Sequence, residues 1–516
     1  AGTHQLSHFT PEYPLDGYGS PGIDIGGIAM FVLEEECHLI GGCWWLTAIT
    51  DGTAAGTRIL DESVTTVFSG YPGYAVRVPG GILVQGEDAA TGAELWEIND
   101  QDGSLRQVGN LMPETNSSQP RELFALGDGV VFEAGTPGWY PSSWSLTSLD
   151  GLPQPLLCGD DGYPLDLELQ VNNHLLTTCW NWMNGELRIQ SLSEGATIPE
   201  DLNVTAESDP YLRHFVSSGG FAFVLGGGSD EEIVRTDGTV QGTTVLHVPG
   251  LSPYAELVAA TATHLFLQAG QFPVQWISVN LADFTISTIH REPLLGLYGY
   301  AGEQAVENES FFFTSRNAGS IEELWVSNGT TGGTGAIWRS APDERVLDLF
   351  PAGQSLYFLA GSNRMSLWRT NGTALGTIRV AELGPLNADA DDELPRDSLE
   401  LAGRLYFVAE TSPTGRELWA TDGTSVGTTV LDLWPGEAGS APRGLAAAGG
   451  LRFFSADDPY FGREVWASDG TLAGTIRVSD IGAGPQGADP EWLTGVGSTL
   501  YFAADDALHA RELWAI

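Results

Sequence analysis

A short motif, seen best as R-E-L-W-A-T-D-G-T, recurs along this chain of 516 residues and constrains its fold more than any other feature. Repeats of this kind indicate an architecture in which each unit is one small element that packs on its neighbours. Complete or partial copies stand at Thr50–Thr57, Glu94–Trp96, Glu232–Thr239, Glu323–Thr330, Ser366–Thr373, Arg416–Thr424, Arg463–Thr471 and Arg511–Ile516.

The spacing of the D-G-T turns gives the number of units. The Asp or Asn that opens each clear turn stands at position 51, 237, 328, 371, 422 or 469, at separations close to one, two or four times about 46 residues. Degenerate turns stand at the intermediate places, around Asn99, Asp150, Glu194 and Asp283. With the unfinished last copy, the chain therefore divides into eleven units of about 47 residues.

Each unit predicts four short strands, most clearly between residues 397 and 435. Segments rich in β-branched and aromatic residues alternate there with A-G, S-P-T-G and D-G-T-S-V-G, which favour turns. Four antiparallel strands repeated at this period are typical of a β-propeller blade. We therefore predict an all-β fold of four-stranded antiparallel blades. In this unit the predicted strands are Ser398–Ala402, Arg404–Glu410, Glu417–Thr421 and Thr428–Leu433.

The two chain ends predict how the repeat closes. The last unit stops at Ile516 after its third strand, and residues 2–9 resemble the fourth strand that it lacks. We expect the N-terminal strand to complete the last blade, which removes an exposed sheet edge, within one closed ring over residues 1–516. Because propellers usually have about four to eight blades, two smaller propellers, over 1–230 and 231–516, remain the alternative.

These motifs resemble those of the bacterial ELWxxDGT-repeat proteins over essentially the whole chain, most strongly from residue 310 onward. The resemblance implies a β-propeller-like, extracytoplasmic repeat protein of a kind frequent in myxobacteria and other Gram-negative bacteria. It supplies no catalytic residues. Ala48, Val234 and Ile277 occupy positions where the motif has Trp, so we expect those units to pack differently.

The motif residues have expected structural roles. Alternate residues of a strand lie on opposite faces, so the Glu and Trp of E-L-W share a face and Leu takes the other. The Asp of D-G-T is expected to accept a bond from the backbone N–H two residues on, and the Arg before the motif Glu to pair with a neighbouring blade. The tryptophans expected to pack between blades are Trp96, Trp325, Trp368, Trp419, Trp466 and Trp514.

Two sets of residues are candidates for binding. Acidic loops followed about six residues later by the motif Glu supply oxygen ligands suited to Ca²⁺, although a solvated acidic rim is the favoured interpretation, and the spacing matches no EF-hand. Aromatic rings and amides in two degenerate units suit a sugar or peptide, or else cap a core that lacks its Trp. The calcium candidates are Asp457, Asp458, Glu464, Asp505, Asp506 and Glu512, and the ligand-binding candidates are Trp139, Tyr140, Trp180, Asn181 and Trp182.

Charge restricts the partners. The chain has 67 acidic residues against 22 basic ones, all of them Arg, and a formal net charge of −45. Its field would repel nucleic acid and anionic membrane surfaces. The sequence has no apolar stretch long enough to cross a bilayer. We therefore expect neither a nucleic-acid partner nor membrane insertion.

The cysteines and the N-terminus bear on the location of the protein. The four Cys form two close pairs, Cys37 with Cys43 and Cys158 with Cys179, and we expect two disulfides rather than free buried thiols. The first residues, Ala-Gly-Thr-His, indicate a mature end left after removal of a leader. An extracellular, cell-surface or periplasmic location is expected.

These features predict a binding or structural module that presents rim loops to a glycan or protein ligand. The sequence contains no H-E-x-x-H or P-loop motif and no G-x-S-x-G in a strand-to-helix context, and we predict no catalytic residues and no cofactor beyond calcium. Two alternatives stay open: a carboxylate-based hydrolase or lyase of the glycosidase kind on the propeller scaffold, and an assembly subunit.

Overall fold

The computed structural model describes most of the chain, and for some residues it describes the backbone alone. The described residues are 4–5, 19–24, 29–38, 42–50, 57–59, 65–66, 75–88, 91–99, 104–109, 111, 118, 121–126, 129–135, 141–146, 153–156, 165–181, 186–194, 196, 198–206, 215–226, 232–249, 251, 255–269, 275–291, 304–316, 321–342, 344–386, 397–482, 484–505 and 511–516. Within these ranges, no helix is long and apolar enough to span a membrane.

The fold is all-β and β-propeller-like, as predicted. The described strands form ten four-stranded sheets and one five-stranded sheet, which we number sheets 1 to 11 in chain order. The pairing is antiparallel and mostly joins consecutive strands, apart from β6 with β8 and β1 with β45. Turns rich in Gly, Asp and Asn separate the strands, because these residues adopt turn conformations at low cost. Short 3-10 helices occur at Thr331–Gly333 and Gly484–Gln486.

The chain divides into two compact units, and unit 1 comprises Ala1–Leu123 and Leu383–Ile516. Sheet 1 has β2 (Gly19–Asp24), β3 (Ala29–His38), β4 (Gly42–Thr50) and β5 (Arg58–Ile59), and sheet 2 has β6 (Thr65–Thr66), β7 (Ala75–Val78), β8 (Gly81–Asp88), β9 (Gly92–Asn99) and β10 (Leu105–Gly109). Sheet 9 has β35 (Ser398–Leu401), β36 (Arg404–Thr411), β37 (Gly415–Thr421) and β38 (Thr429–Leu431); sheet 10 has β39 (Arg443–Ala448), β40 (Leu451–Asp458), β41 (Gly462–Ser468) and β42 (Ile476–Arg477). Sheet 11 has β43 (Glu491–Val496), β44 (Thr499–Asp505), β45 (Arg511–Ala515) and β1 (His4–Gln5).

Unit 2, Phe124–Glu382, contains sheets 3 to 8, except for the first residues of sheet 3 and the last residues of sheet 8. Sheet 3 has β11 (Arg121–Leu126), β12 (Gly129–Gly135), β13 (Pro141–Leu146) and β14 (Gln154–Pro155); sheet 4 has β15 (Leu165–Val171), β16 (His174–Asn181), β17 (Glu186–Ser193) and β18 (Glu200–Ala206). Sheet 5 has β19 (Val216–Ser218), β20 (Phe221–Leu225), β21 (Glu232–Thr236) and β22 (Thr244–His247); sheet 6 has β23 (Glu256–Ala260), β24 (His264–Ala269), β25 (Gln275–Asn280) and β26 (Ile286–Arg291). Sheet 7 has β27 (Gln304–Glu307), β28 (Ser310–Arg316), β29 (Glu322–Ser327) and β30 (Thr334–Arg339); sheet 8 has β31 (Arg345–Ala352), β32 (Ser355–Gly361), β33 (Arg364–Thr370) and β34 (Ile378–Pro385).

The N-terminal strand completes the last sheet, which confirms the prediction from the chain ends. β1 pairs antiparallel with β45, with His4 opposite Ala515 and Gln5 opposite Trp514. The order β1-β45-β44-β43 puts β1 in the place that the fourth strand takes in the other sheets. The edge of β45 is therefore covered by the other end of the chain.

Side chains on the two faces of the E-L-W strands pack neighbouring sheets together within each unit. Leu418 of sheet 9 and Trp466 of sheet 10 belong to one buried cluster between these sheets. The aliphatic residue of the motif thus faces the following sheet and the Trp faces the preceding one. The same arrangement pairs Leu324 with Trp368 and Val465 with Trp514.

The other motif tryptophans are also covered. Trp325 packs against the cluster between sheets 6 and 7. Trp419 is buried and stacks on Phe407, with ring centres 6.5 Å apart. Trp96 is buried in sheet 2. All six tryptophans are therefore at least partly removed from solvent.

The D-G-T turn is held by a fixed set of hydrogen bonds. In sheet 9, Asp422 Oδ1 accepts the N–H of Thr424 at 2.9 Å and its hydroxyl at 2.7 Å, and Thr424 Oγ1 accepts the N–H of Gly427 at 3.0 Å. Gly423 has a φ of 84°, a region that favours glycine. A Cβ on Gly427 would lie 2.0 Å from Asp422 Oδ1. The complete motif is therefore D/N-G-T-x-x-G-T, and it recurs around Asp237, Asn328, Asn371 and Asp469.

In sheets 9 and 10 the motif Glu ties the sheet to the connection that leads to the next one. Glu417 is fully buried and accepts bonds from the hydroxyl of Ser440, from Ser440 N–H at 2.8 Å and from Trp434 N–H at 3.3 Å. Both partners lie between β38 and β39. Burial raises the pKa of Glu417 to about 7, although these donors act in the opposite direction. Glu464 accepts from Ser479, Ile481 and Gly482 in the same manner.

Candidate functional site

The aromatic residues predicted to bind a ligand fall mainly outside the described part of the chain. Trp139, Tyr140 and Trp182 lie outside it, and the backbone alone is described for Trp180 and Asn181, the last two residues of β16. Their binding role stays a prediction.

The acidic residues predicted to bind calcium are placed in part. Asp457 pairs with Arg463 of its own hairpin, and Asp458 Oδ1 accepts the N–H groups of Tyr460 and Phe461 at 2.7 and 3.1 Å. Glu464 is buried on the Ser479 connection, where burial raises its pKa. The structure therefore engages these three carboxylates with groups of the protein.

The remaining calcium candidates lie in sheet 11. Asp505 is exposed at the end of β44, Asp506 lies outside the described residues, and the backbone alone is described for Glu512. Among the side chains that are described, no three His, Cys, Asp or Glu groups cluster as metal ligands do. Calcium stays a prediction.

The arginine next to the motif Glu pairs with a carboxylate of its own sheet as well as with one on the connection to the next sheet. Arg463 is 7% exposed, and its guanidinium contacts Asp457 within sheet 10. The same side chain lies 3.7 Å from Asp489, on the connection to sheet 11. The expected contact with a neighbouring sheet is therefore the longer of the two.

The cysteines are described in part. Cys37 of β3 and Cys43 of β4 stand opposite each other in the hairpin register. Cys179 is buried and takes part in a disulfide bond, while Cys158 lies outside the described residues. The two pairings stay predictions.

A cavity of about 650 Å³ opens in unit 2 at sheets 5, 6 and 7. Its wall comes from the turns between the first and second strands and between the third and fourth strands, which lie at the same edge of an antiparallel meander. Residues from all three sheets therefore converge on one space. The groups that offer hydrogen bonds or charge there include Ser218, Arg235, His264, Asn280, Glu309 and Asn328.

Arg235 is the cation of the described wall. It extends from β21, half-buried, with its guanidinium carbon 3.6 Å from the centre of the Phe221 ring. A guanidinium over an aromatic face is attracted by the ring and keeps its N–H groups at its edge free to donate. No carboxylate within the described ranges forms an ion pair with Arg235.

His264 is a neutral donor and acceptor in the same wall. Burial lowers the pKa of His264, and the opposing attraction of Asp283 is smaller. Asn280 Nδ2 lies 3.4 Å from Nε2 of the ring, and Nδ1 lies 2.9 Å from Thr263 Oγ1. Because an amide Nδ2 can only donate, this contact favours the tautomer with the proton on Nδ1, which faces Thr263 Oγ1.

The two asparagines and Glu309 complete the polar wall. Asn280 Oδ1 accepts the N–H of Ala282 at 2.8 Å, and Asn328 Oδ1 accepts from Thr330. Because these amide oxygens are used, both asparagines offer mainly N–H to a ligand. Glu309 accepts the N–H of Ala262 at 2.7 Å and keeps further acceptor capacity.

The cavity lies at a different place from the one the sequence indicated. The predicted aromatic residues stand at or just after the ends of second strands in sheets 3 and 4. The cavity lies near the beginnings of second strands in sheets 5, 6 and 7, for example where His264 begins β24. Only weak features of the sequence mark the place of the cavity. In sheets 5 and 6, Val234 and Ile277 replace the motif Trp, and the turn before β24 reads T-A-T in place of the A-G found before β36.

Comparisons with known proteins give a distant likeness to solved structures. No protein-family model matches the chain, and no curated protein matches it. A GH74 xyloglucanase from Xanthomonas campestris is 13% identical with a TM-score of 0.26, over 97% of this chain and 82% of its own. Apo AztD from Citrobacter koseri is 11% identical with a TM-score of 0.32, over 70% and 92%. A prolyl endopeptidase is 13% identical with a TM-score of 0.31 over 68% of this chain, which spans 54% of the length of that enzyme.

Proposed function

We propose that this protein is a non-catalytic binding module, and that the cavity of sheets 5, 6 and 7 holds a hydroxyl-rich ligand such as a short glycan. The convergence of amide, imidazole, carboxylate and guanidinium groups on a space of about 650 Å³ is the observation that carries the proposal. Ligand sites are commonly concave spaces of roughly this size with a few placed polar groups. The rigid strands behind the turns keep these groups in position without a ligand.

Calorimetric titration with neutral and acidic trisaccharides tests this function. Binding should weaken at least fivefold in Asn280→Ala, because this substitution removes an N–H donor from the wall. Asn203→Ala, which changes the same type of side chain in sheet 4 away from the cavity, is the matched control. Binding that is equal in both variants would place the ligand elsewhere.

A carboxylate-based hydrolase remains the alternative, because Glu309 lies in the same wall. Glycoside hydrolysis canonically uses a pair of carboxylates, one of them with a raised pKa. Chromatography of the trisaccharides after long incubation distinguishes the two functions. Cleavage products that disappear in Glu309→Gln would establish the enzyme and reject the non-catalytic module.

We further propose one ring of eleven blades in an extracytoplasmic compartment. The pairing of β1 with β45 supports ring closure, and the disulfide bond of Cys179 supports an oxidising environment. Electron microscopy of the purified protein should show a single ring with eleven radial segments. Two smaller rings would favour the alternative of two propellers.

A further inference from the structure

We propose that the cavity selects a saccharide that carries a carboxylate, and that Arg235 is the residue that binds it. This inference rests on the proposed binding function. Arg235 contributes an ion-pairing group that has no protein partner among the described carboxylates, in a chain with 67 acidic and 22 basic residues.

The remaining wall fits the oxygen atoms of a sugar acid. Asn280 and Asn328 offer N–H groups because their oxygens are occupied, and a carboxylate or a ring oxygen accepts such bonds. Glu309 keeps acceptor capacity for sugar hydroxyl groups. Its negative charge disfavours a carboxylate beside it, so we expect the carboxylate that is bound to lie at Arg235 and not at Glu309.

The planar guanidinium group makes Arg235 the residue in the wall best suited to binding a carboxylate. Guanidinium binds a carboxylate through two parallel N–H···O bonds, and charge-assisted bonds of this type are roughly twice as strong as neutral ones. The ring of Phe221, 3.6 Å away, limits the positions of the guanidinium before the ligand arrives. Less conformational freedom is therefore lost on binding.

The net charge of −45 does not prevent this. At about 0.15 M ionic strength the screening length is about 8 Å, so distant carboxylates are largely screened. A bidentate pair inside a cavity is screened much less. We therefore expect the preference for an acidic ligand to persist at physiological salt.

The test compares cellotriose with the matching trimer of glucuronic acid, which differs in having carboxylates in place of the hydroxymethyl groups. In calorimetric titrations at 0.15 M salt, the wild-type protein should bind the acidic trimer about tenfold more tightly or better. Arg235→Gln should abolish the difference, because the affinity for the acidic trimer should fall about tenfold more than the affinity for cellotriose. Arg235→Lys should keep part of it, because the charge remains but the fork is lost.

Arg369→Gln is the matched control. Arg369 follows the motif Trp in sheet 8 as Arg235 follows Val234 in sheet 5, and it does not line the cavity. This variant should keep the full preference for the acidic trimer. Equal melting temperatures of the two Gln variants would show that both fold.

Each other outcome contradicts a stated part of the proposal. If the wild-type protein binds both trimers equally, the selection by Arg235 is wrong and the binding module stands. If neither trimer binds while a tripeptide with a free carboxyl terminus does, the saccharide class is wrong in both proposals. If no probe binds, the proposed function itself is rejected.

Discussion

Sheets 9 and 10 keep the repeat motif in full, whereas sheets 5 and 6 have lost its tryptophan, and the cavity lies beside the second pair. In sheet 10, Trp466 fills the space toward sheet 9. The equivalent residues in sheets 5 and 6 are Val234 and Ile277, which occupy the clusters with the preceding sheets. Sheet 7, which keeps Trp325, also lines the cavity, so the difference teaches that the packing motif and the cavity are separable in this fold.

In sheet 6 a tryptophan is present, but it stands one position earlier than in the motif. Trp276 takes the position that Leu has in the motif, and it packs toward sheet 7 with its ring 5.3 Å from Phe311 and 5.0 Å from Phe313. A shift of one residue moves a side chain to the other face of a strand. The core between sheets 6 and 7 is consequently rich in aromatic rings, and the core between sheets 5 and 6 is mainly aliphatic.

The largest effect should come from the motif tryptophan. Trp466→Ala removes a buried indole between two sheets and should lower the free energy of unfolding by about 3–5 kcal/mol. Val234→Ala, at the equivalent place in sheet 5, should cost about half as much, because fewer buried atoms are lost. Urea unfolding measures both. Equal losses would break the comparison between the two regions.

The buried motif Glu should give the next largest effect, as a dependence on pH. The pKa of Glu417 is raised to about 7 on folding, so the folded chain retains a proton that the unfolded chain has released. The stability from this group is present below about pH 4.5 and is lost as the pH rises through about 7. We expect the free energy of unfolding to fall by up to about 3 kcal/mol across this range.

Glu417→Gln removes this titration and should flatten the decline between pH 5 and pH 8. Glu232→Gln, at the partly exposed equivalent position in sheet 5, is the matched control for the substitution itself. Thermal unfolding across the pH range tests this. An unchanged profile in Glu417→Gln would mean that other groups govern the pH dependence.

Glycine substitutions in the D-G-T-x-x-G turn should destabilise sheets 9 and 5 equally, in contrast to substitutions of the packing residues. A Cβ at Gly427 or at Gly242 would lie 2.0 Å from the carboxylate of Asp422 or Asp237. Gly427→Ala and Gly242→Ala should each cost about 2 kcal/mol, because the Asp must leave its Thr partner. Urea unfolding of the pair checks this. A much smaller loss in Gly242→Ala would show that sheet 5 has relaxed its turn as well as its packing.

Removal of residues 1–5 should have the smallest effect on stability. It deletes β1, of which His4 and Gln5 pair with β45. The loss of this short ladder should lower the melting temperature of the protein by a few degrees. Calorimetry measures the shift, and Gln5→Ala, which keeps the strand, is the control. A melting temperature equal to that of the full chain would show that β1 contributes no stability.

The repeat period alone predicted much of this protein. Counting D-G-T turns gave eleven units, and the described strands form eleven sheets. In sheet 9 the prediction placed the fourth strand at Thr428–Leu433, whereas β38 covers Thr429–Leu431, because Thr428 belongs to the turn network through its hydroxyl. Periodicity identifies strands well and their ends less well.

The sequence by itself determined the strand order, the turn chemistry and the completion of sheet 11 by the N-terminus, since all three depend on local patterns and on the period. The tertiary structure decided where the cavity lies and which partners the buried carboxylates have. Arg235, His264 and Glu309 stand far apart in sequence in three different sheets, and no local pattern links them. They converge because the faces of successive sheets pack together, which brings the same turn of each sheet to one edge.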